Sequence, residues 1–175
     1  MNTVYISAGG NIGDRMAYLK AAIQELKQLP KSQVIATSSI YETPAWGKTD
    51  QQDFLNLVCK LKTEFSAPDF LLACQAIEKK LGRIRKEKWG ERTLDLDIIF
   101  WNDECIQTDT LTVPHPYAHE RAFVLLPLAE LEADFLHPIL GKSISQLLLP
   151  LADDVQAIHQ YGDSPNQGVE KNAKI

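Results

Sequence analysis

Cysteine is scarce in this sequence: Cys59, Cys74 and Cys105 are three in 175 residues, an odd number without a close pair. That excludes a disulfide framework and the paired spacing of a zinc knuckle, and leaves reduced thiols. No apolar run reaches the roughly 18 residues of a membrane span, and the first ten residues hold neither a charged n-region nor a long apolar h-region. The expected compartment is the cytoplasm. Positive charge is short as well, 18 Lys and Arg against 23 Asp and Glu for a net −5, so the surface as a whole does not attract nucleic acid or anionic membrane. A polyanion must be met by a local cluster of cations. The stretch Gly9-Gly10-Asn11-Ile12-Gly13 lacks the Gly-Lys-Ser/Thr ending of a Walker loop and the full dinucleotide spacing, and reads as a turn into a helix.

What is present, 45% hydrophobic and 23% charged residues, suits one globular domain with its own core. Residues 1–161 are expected to form it, and 162–175 are polar and turn-rich enough for a tail. Thr3 to Ala8 reads as a strand, and Asp14 caps a helix with Leu19, Ile23 and Leu26 on one face. Val34 to Tyr41 reads as a second strand with Ile35, Ser39 and Tyr41 on one side. Phe54 to Thr63 is a third, placing Leu55, Leu57, Cys59 and Leu61 on one face and Phe54, Asn56, Val58 and Lys60 on the other. Ser66 to Asp69 opens a second helix with a buried stripe of Phe70, Cys74, Ile77 and Leu81, stopped at Gly82. Leu94 to Trp101 is a fourth strand. The order βαββαβ predicts an α+β, ferredoxin-like antiparallel sheet with both helices on one face and the other face free for a site. A short hairpin at Ile106 and Leu111 to Val113, and helices at Glu120 to Leu126 and Ser143 to Leu149, form a C-terminal extension.

Asp95 and Asp97 stand two apart on the fourth strand, so both carboxylates leave the same face while Leu94, Leu96 and Ile98 turn to the core. With Cα atoms about 7 Å apart they can bridge two Mg²⁺ ions about 4 Å from one another, the clamp of phosphoryl chemistry. Immediately before them, Arg83, Arg85, Lys86, Lys88 and Arg92 surround Trp89, and arginine forks match phosphate oxygens bidentately. Metal ligands beside cations point to a polyphosphate. His115 and Arg121 follow the acid strand as a second candidate grip. Gln75 and Glu78 lie off the apolar stripe of their helix, facing either ligand or water. Phe54 with Asn56 suits a flat heteroaromatic ligand, a ring face beside a donor and acceptor, with Phe123 as a second face.

Taken together, Tyr41-Glu42-Thr43-Pro44, Phe54-Leu55-Asn56, Gly82-Arg83-Ile84-Arg85, Trp89-Gly90-Glu91-Arg92-Thr93-Leu94-Asp95-Leu96-Asp97 and Leu111-Thr112-Val113-Pro114-His115-Pro116 resemble the 6-hydroxymethyl-7,8-dihydropterin pyrophosphokinase family, over about residues 3 to 150. The resemblance implies an ATP-dependent diphosphotransferase of folate biosynthesis: the pterin hydroxyl attacks the β-phosphorus of ATP in line, AMP leaves, and no side chain becomes a nucleophile. It implies two Mg²⁺ on Asp95 and Asp97, one bridging the α- and β-phosphates and the hydroxyl, the other the β- and γ-phosphates. Gln75, Glu78, Arg85, Trp89, Ile98, Thr112, His115, Tyr117 and Arg121 would surround ATP. Thr43, Pro44, Ala45, Phe54, Asn56, Asp95 and Phe123 would line the pterin pocket, the ring stacked between the two phenylalanines, and Arg83 and Arg92 would stabilise the transition state. The partners implied are these small molecules, with a monomeric protein and neither nucleic acid nor membrane. Trp46, Lys88 and Thr110 depart from the family pattern, Trp46 being bulkier than the usual aliphatic residue. An RNA-binding module of the same topology is disfavoured, because acids on the central strand repel phosphate without metal. A regulatory small-ligand module leaves the acids and the arginine segment without a role.

Overall fold

The computed structural model describes residues 1–45, 51–82 and 93–165 of the chain. The elements run β1 (Asn2–Gly10), α1 (Arg15–Lys27), β2 (Ser32–Thr37), β3 (Ile40–Thr43), β4 (Phe54–Thr63), α2 (Ala67–Lys80), β5 (Asp95–Trp101), β6 (Ile106–Gln107), β7 (Thr112–Val113), α3 (Ala122–Glu132), α4 (Ile144–Leu148), α5 (Ala152–Gln156) and β8 (His159–Gly162). The main sheet is ordered β5-β1-β4-β3-β8, with β2 also on β4, and all its pairings are antiparallel. The expected α+β sheet with helices packed on it is therefore present.

Local chemistry sets the helix ends. Asp14 accepts the N–H of Ala17 at 3.1 Å to start α1, and Ser66 accepts that of Asp69 at 3.3 Å to start α2, with Pro68 in its first turn where no donor is wasted. Gly82, at φ +75°, supplies the left-handed residue beyond α2. Both helices lie on one face of the sheet, where Leu19, Ile23, Leu26, Phe70, Cys74 and Ile77 pack on Val4, Ile6, Leu55, Leu57, Leu61, Leu96 and Ile98. At about 25 cal/mol per Å² of apolar surface removed from water, this layer is the main source of stability.

The other face differs from expectation. It is divided rather than free: Tyr5, Val58, Ile99 and Phe100 are covered by Val124, Leu125 and Leu128 of α3 and by Ile144 and Leu147 of α4. A bulge lies within this covered part, since β1 pairs Tyr5 with Phe100 and Ile6 with Ile98, leaving Ile99 as an extra residue. The acids lie on this second face, beyond the part that α3 and α4 cover.

Three further differences concern strands. Gly9 and Gly10 belong to β1 instead of a turn, and the bend into α1 comes at Ile12 to Asp14, with Gly13 at φ +65°. The single strand expected from Val34 to Tyr41 is two, because a bulge at Ile35 pushes that side chain to solvent and Ser38 turns its side chain onto the neighbouring strand. Val58 N–H donates to Ser38 Oγ at 2.9 Å, while Glu130 of α3 accepts both the N–H and the hydroxyl of Ser39 at 2.6 Å. β8 was not foreseen; it pairs with β3, and Ser164 Oγ shares a hydrogen bond of 2.6 Å with Thr37 Oγ1. The last strand ends at Gly162, Ser164 still touches β2 through its side chain, and 166–175 lie outside the described residues.

Candidate active site

Asp95 and Asp97 leave β5 on the second face, Asp95 half-buried and Asp97 exposed, while Leu94, Leu96 and Ile98 are buried against α1 and α2. Across the sheet the register forms two rows, Asn56–Gly9–Asp95 and Val58–Ser7–Asp97. β1 therefore contributes only a glycine and a serine beside the acids, a floor without bulk. Asn56 uses that space: a Cβ on Gly9 would lie 2.1 Å from Asn56 Oδ1, so the amide lies over the bare glycine. This juxtaposes two anionic oxygen donors and an amide that both donates and accepts.

The flat-ligand side lies along β3 and β4. Thr43 pairs with Phe54 and Tyr41 with Asn56, so Thr43, Phe54 and Asn56 share the second face. Thr43 is buried, and its Oγ1 has no hydrogen-bond partner among the described residues, a buried hydroxyl whose desolvation a ligand would offset. A cleft of about 110 Å³ opens between Thr43, Arg121, Ala122 and Phe123, closed on its far side by Asp154 and Ile158. Pro44 and Ala45 are half-buried at its approach, and Ala45 N–H donates to Asp53 Oδ1 at 3.4 Å.

Around the other flank, His115 N–H donates to Ile99 O at 3.0 Å, which fixes the proline-rich loop to the end of β5. The ring Nδ1 of His115 accepts the N–H of Tyr117 at 3.1 Å, so in the neutral ring the proton resides on Nε2. Burial pushes the imidazole pKa down to about 4, and the Arg121 guanidinium adds to the shift. Arg121 sits 5.7 Å from the Tyr117 ring centroid and 5.8 Å from that of Phe123, a cation between two faces. Tyr117 and Thr112 are exposed, as is Gln75 on α2.

Two of the nucleotide candidates are buried, Ile98 as its strand position predicts. The Ile98 side chain is in the core, which leaves only its main chain, on the free side of β5, to meet a ligand. Glu78, read as facing ligand or water, is turned inward and accepts the N–H of Leu96 at 3.0 Å. Arg83, Arg85, Trp89 and Arg92, with Trp46 and Lys88, lie outside the described residues. The two ends of the cation segment are nevertheless joined: Thr93 Oγ1 donates to Gly82 O at 3.0 Å, immediately before Asp95. Gly9, Ser7 and Thr93 were missed as site residues, since small or hydroxylic side chains carry no signal until the register places them beside the acids.

The donor set fits Mg²⁺. Two carboxylates leave the same face of β5, two residues apart. Mg²⁺ is commonly held by one or two carboxylates, with phosphate oxygens and water completing its octahedron.

Residues 5–133 match the model of the family described as 7,8-dihydro-6-hydroxymethylpterin-pyrophosphokinase. The chain belongs to this family. A 2-amino-4-hydroxy-6-hydroxymethyldihydropteridine pyrophosphokinase of Aquifex aeolicus is 41% identical over 146 residues, 83% of this chain and 90% of that one. Its counterpart from Bacillus subtilis is 48% identical over 130 residues, 74% of this chain and 78% of the relative. Among solved structures, a Plasmodium falciparum HPPK-DHPS triple mutant matches 91% of this chain with a TM-score of 0.71 and 17% identity, a likeness of fold. This chain spans 46% of that longer one. Within the pyrophosphokinase described here, Asp154 and Ile158, which close the Thr43–Phe123 cleft, lie beyond the family-matched residues.

Proposed function

We propose that this pyrophosphokinase transfers the terminal diphosphate of ATP to the hydroxymethyl group of 6-hydroxymethyl-7,8-dihydropterin, giving AMP and the pterin diphosphate used in folate biosynthesis. The observation that carries the reading is the Asn56–Gly9–Asp95 row, which sets a recognition amide beside a metal-type acid pair. The acceptor ring stacks between Phe54 and Phe123, with Asn56 and Thr43 reading its polar edge and Pro44 and Ala45 at the rim. Its hydroxymethyl then points along the row to Asp95.

Asp95 and Asp97 would hold the two Mg²⁺ ions, whose chemistry when bound is to neutralise polyphosphate charge and to acidify the attacking hydroxyl. Gln75, Arg85, Trp89, Thr112, His115, Tyr117, Arg121 and the main chain of Ile98 take the nucleotide. His115 serves as a neutral donor through Nε2–H, because a group with a pKa of about 4 carries no charge near neutrality. Arg121 orders Tyr117 on the nucleotide side and Phe123 on the acceptor side. Arg83 and Arg92 act at the reacting phosphates, a reading supported by the hydrogen bond between the residues that flank them in sequence, Gly82 and Thr93, the latter two positions before Asp95. The new P–O bond forms from the hydroxymethyl oxygen to the β-phosphorus as the bond from that phosphorus to AMP breaks.

No helix among the described residues is long and apolar enough to cross a membrane. A cytoplasmic monomer acting on small molecules alone, built as one domain, is the reading the sequence favours. AMP release from ATP and Mg²⁺ with and without the reduced pterin tests the function: pterin-dependent AMP is expected, and its absence sinks the assignment.

A further inference from the structure

Among the described residues β5 is the edge of the sheet, with β1 on one side, so alternate N–H groups of the acid strand have no described strand to bond. One of these belongs to Leu96, the residue between the two acids. It is not left to solvent. Glu78, on the last full turn of α2 and only 6% exposed, brings Oε2 to 3.0 Å from that N–H. The bond fixes the peptide that joins Asp95 to Leu96, and because side chains alternate along a strand, turning that peptide turns Asp95 and Asp97 as well. A buried carboxylate makes the stronger, charge-assisted form of such a bond.

Glu78 and Asp97 also act on a common neighbour. Burial raises the thiol of Cys74, one turn earlier on α2, to about 12, and the charges of Glu78 and Asp97 both contribute. The hydrogen bond to Leu96 N–H is the geometric link between Glu78 and the acid strand.

We propose that Glu78 is a positioning residue for the acid pair, holding β5 through Leu96 N–H in the rotation at which Asp95 and Asp97 face the metal and polyphosphate together. This rests on the reading of those two acids as metal ligands. Groups that orient metal ligands typically change metal affinity by about 10- to 100-fold when removed.

The test compares wild type, Glu78→Ala and Glu78→Gln in two measurements. The first is amide hydrogen exchange at Leu96. The second is the Mg²⁺ concentration giving half-maximal rate, paired with Mn²⁺ binding followed by electron paramagnetic resonance in the presence of a non-hydrolysable ATP analogue. Leu96 should be protected in wild type and exchange at least about tenfold faster in Glu78→Ala, whose Mg²⁺ requirement and Mn²⁺ dissociation constant both rise about tenfold or more. Glu78→Gln keeps an acceptor oxygen and should stay within about threefold of wild type in both measurements. Unprotected Leu96 in wild type, unchanged metal affinity in Glu78→Ala, or a Glu78→Gln as impaired as Glu78→Ala would each overturn the proposal. Should Glu78→Ala not fold, wild-type exchange and Glu78→Gln decide. Should the wild type make no pterin-dependent AMP, the activity assignment falls alone, because Leu96 exchange and Mn²⁺ binding still judge Glu78.

Discussion

Asn56 Oδ1 occupies the space that a side chain on Gly9 would fill: an added Cβ there would come within 2.1 Å of that oxygen and 3.3 Å of Leu55 O. The glycine is thus a requirement of the neighbouring amide, and no turn is involved. Gly9→Ala should displace the amide, raise KM for the acceptor by about tenfold or more and leave KM for ATP within about twofold, with a loss of stability of about 1–3 kcal/mol from overpacking. Steady-state kinetics with each substrate varied, together with urea unfolding, check this. An unchanged acceptor KM would remove Asn56 from the pocket.

Phe123 forms one wall of the cleft that Thr43, Asp154 and Ile158 complete. Stacking of a ring on an aromatic side chain contributes about 1–3 kcal/mol, equivalent to roughly 5- to 150-fold in affinity. Phe123→Ala is expected to weaken acceptor binding within that range, read by isothermal titration with the pterin, while binding of a non-hydrolysable ATP analogue changes little. Equal loss for both ligands would mean that Phe123 acts only by supporting Arg121.

Two histidines are held neutral. Burial and the Arg121 charge bring His115 to about 4, and burial followed by the charge of His119 lowers His137, whose Nδ1 accepts the N–H groups of Ile139 and Leu140, each at 3.2 Å. Unfolded, both titrate at about 6.5. Above that value neither state binds the proton and the contribution to stability is complete. As pH falls from 6.5 toward 4 the unfolded chain takes up protons that the folded chain refuses, so stability falls. Urea unfolding at pH 7 and pH 5 should show this loss, reduced in His115→Asn, and the His115 ring resonances in NMR should shift near pH 4. A His115 midpoint at 6.5 would contradict the neutral-donor role.

The faces of β4, the α2 stripe and the same-face projection of Asp95 and Asp97 were legible in the sequence, because period-two and helical patterns are local properties of the chain. The break after Thr37 was not, since it is held by Ser38 on Val58 and by Glu130 from α3, partners 20 and 91 residues distant. β8 depends in the same way on the free edge of β3. In the site, long charged and aromatic residues announced themselves by chemistry. Gly9, Ser7 and the inward turn of Glu78 did not, because their contribution arises from register with strands whose pairing no local pattern encodes.

The central claim is that Asp95 and Asp97 hold the metal under the polyphosphate, and the most direct measurement is the turnover of Asp97→Ala against wild type across a Mg²⁺ titration, with circular dichroism confirming the fold. Asp97 is exposed on a strand whose core is made by its neighbours, so the fold should persist while the rate falls by about 10³-fold or more at every Mg²⁺ concentration. Near-normal turnover of the folded variant at saturating Mg²⁺ would contradict the account.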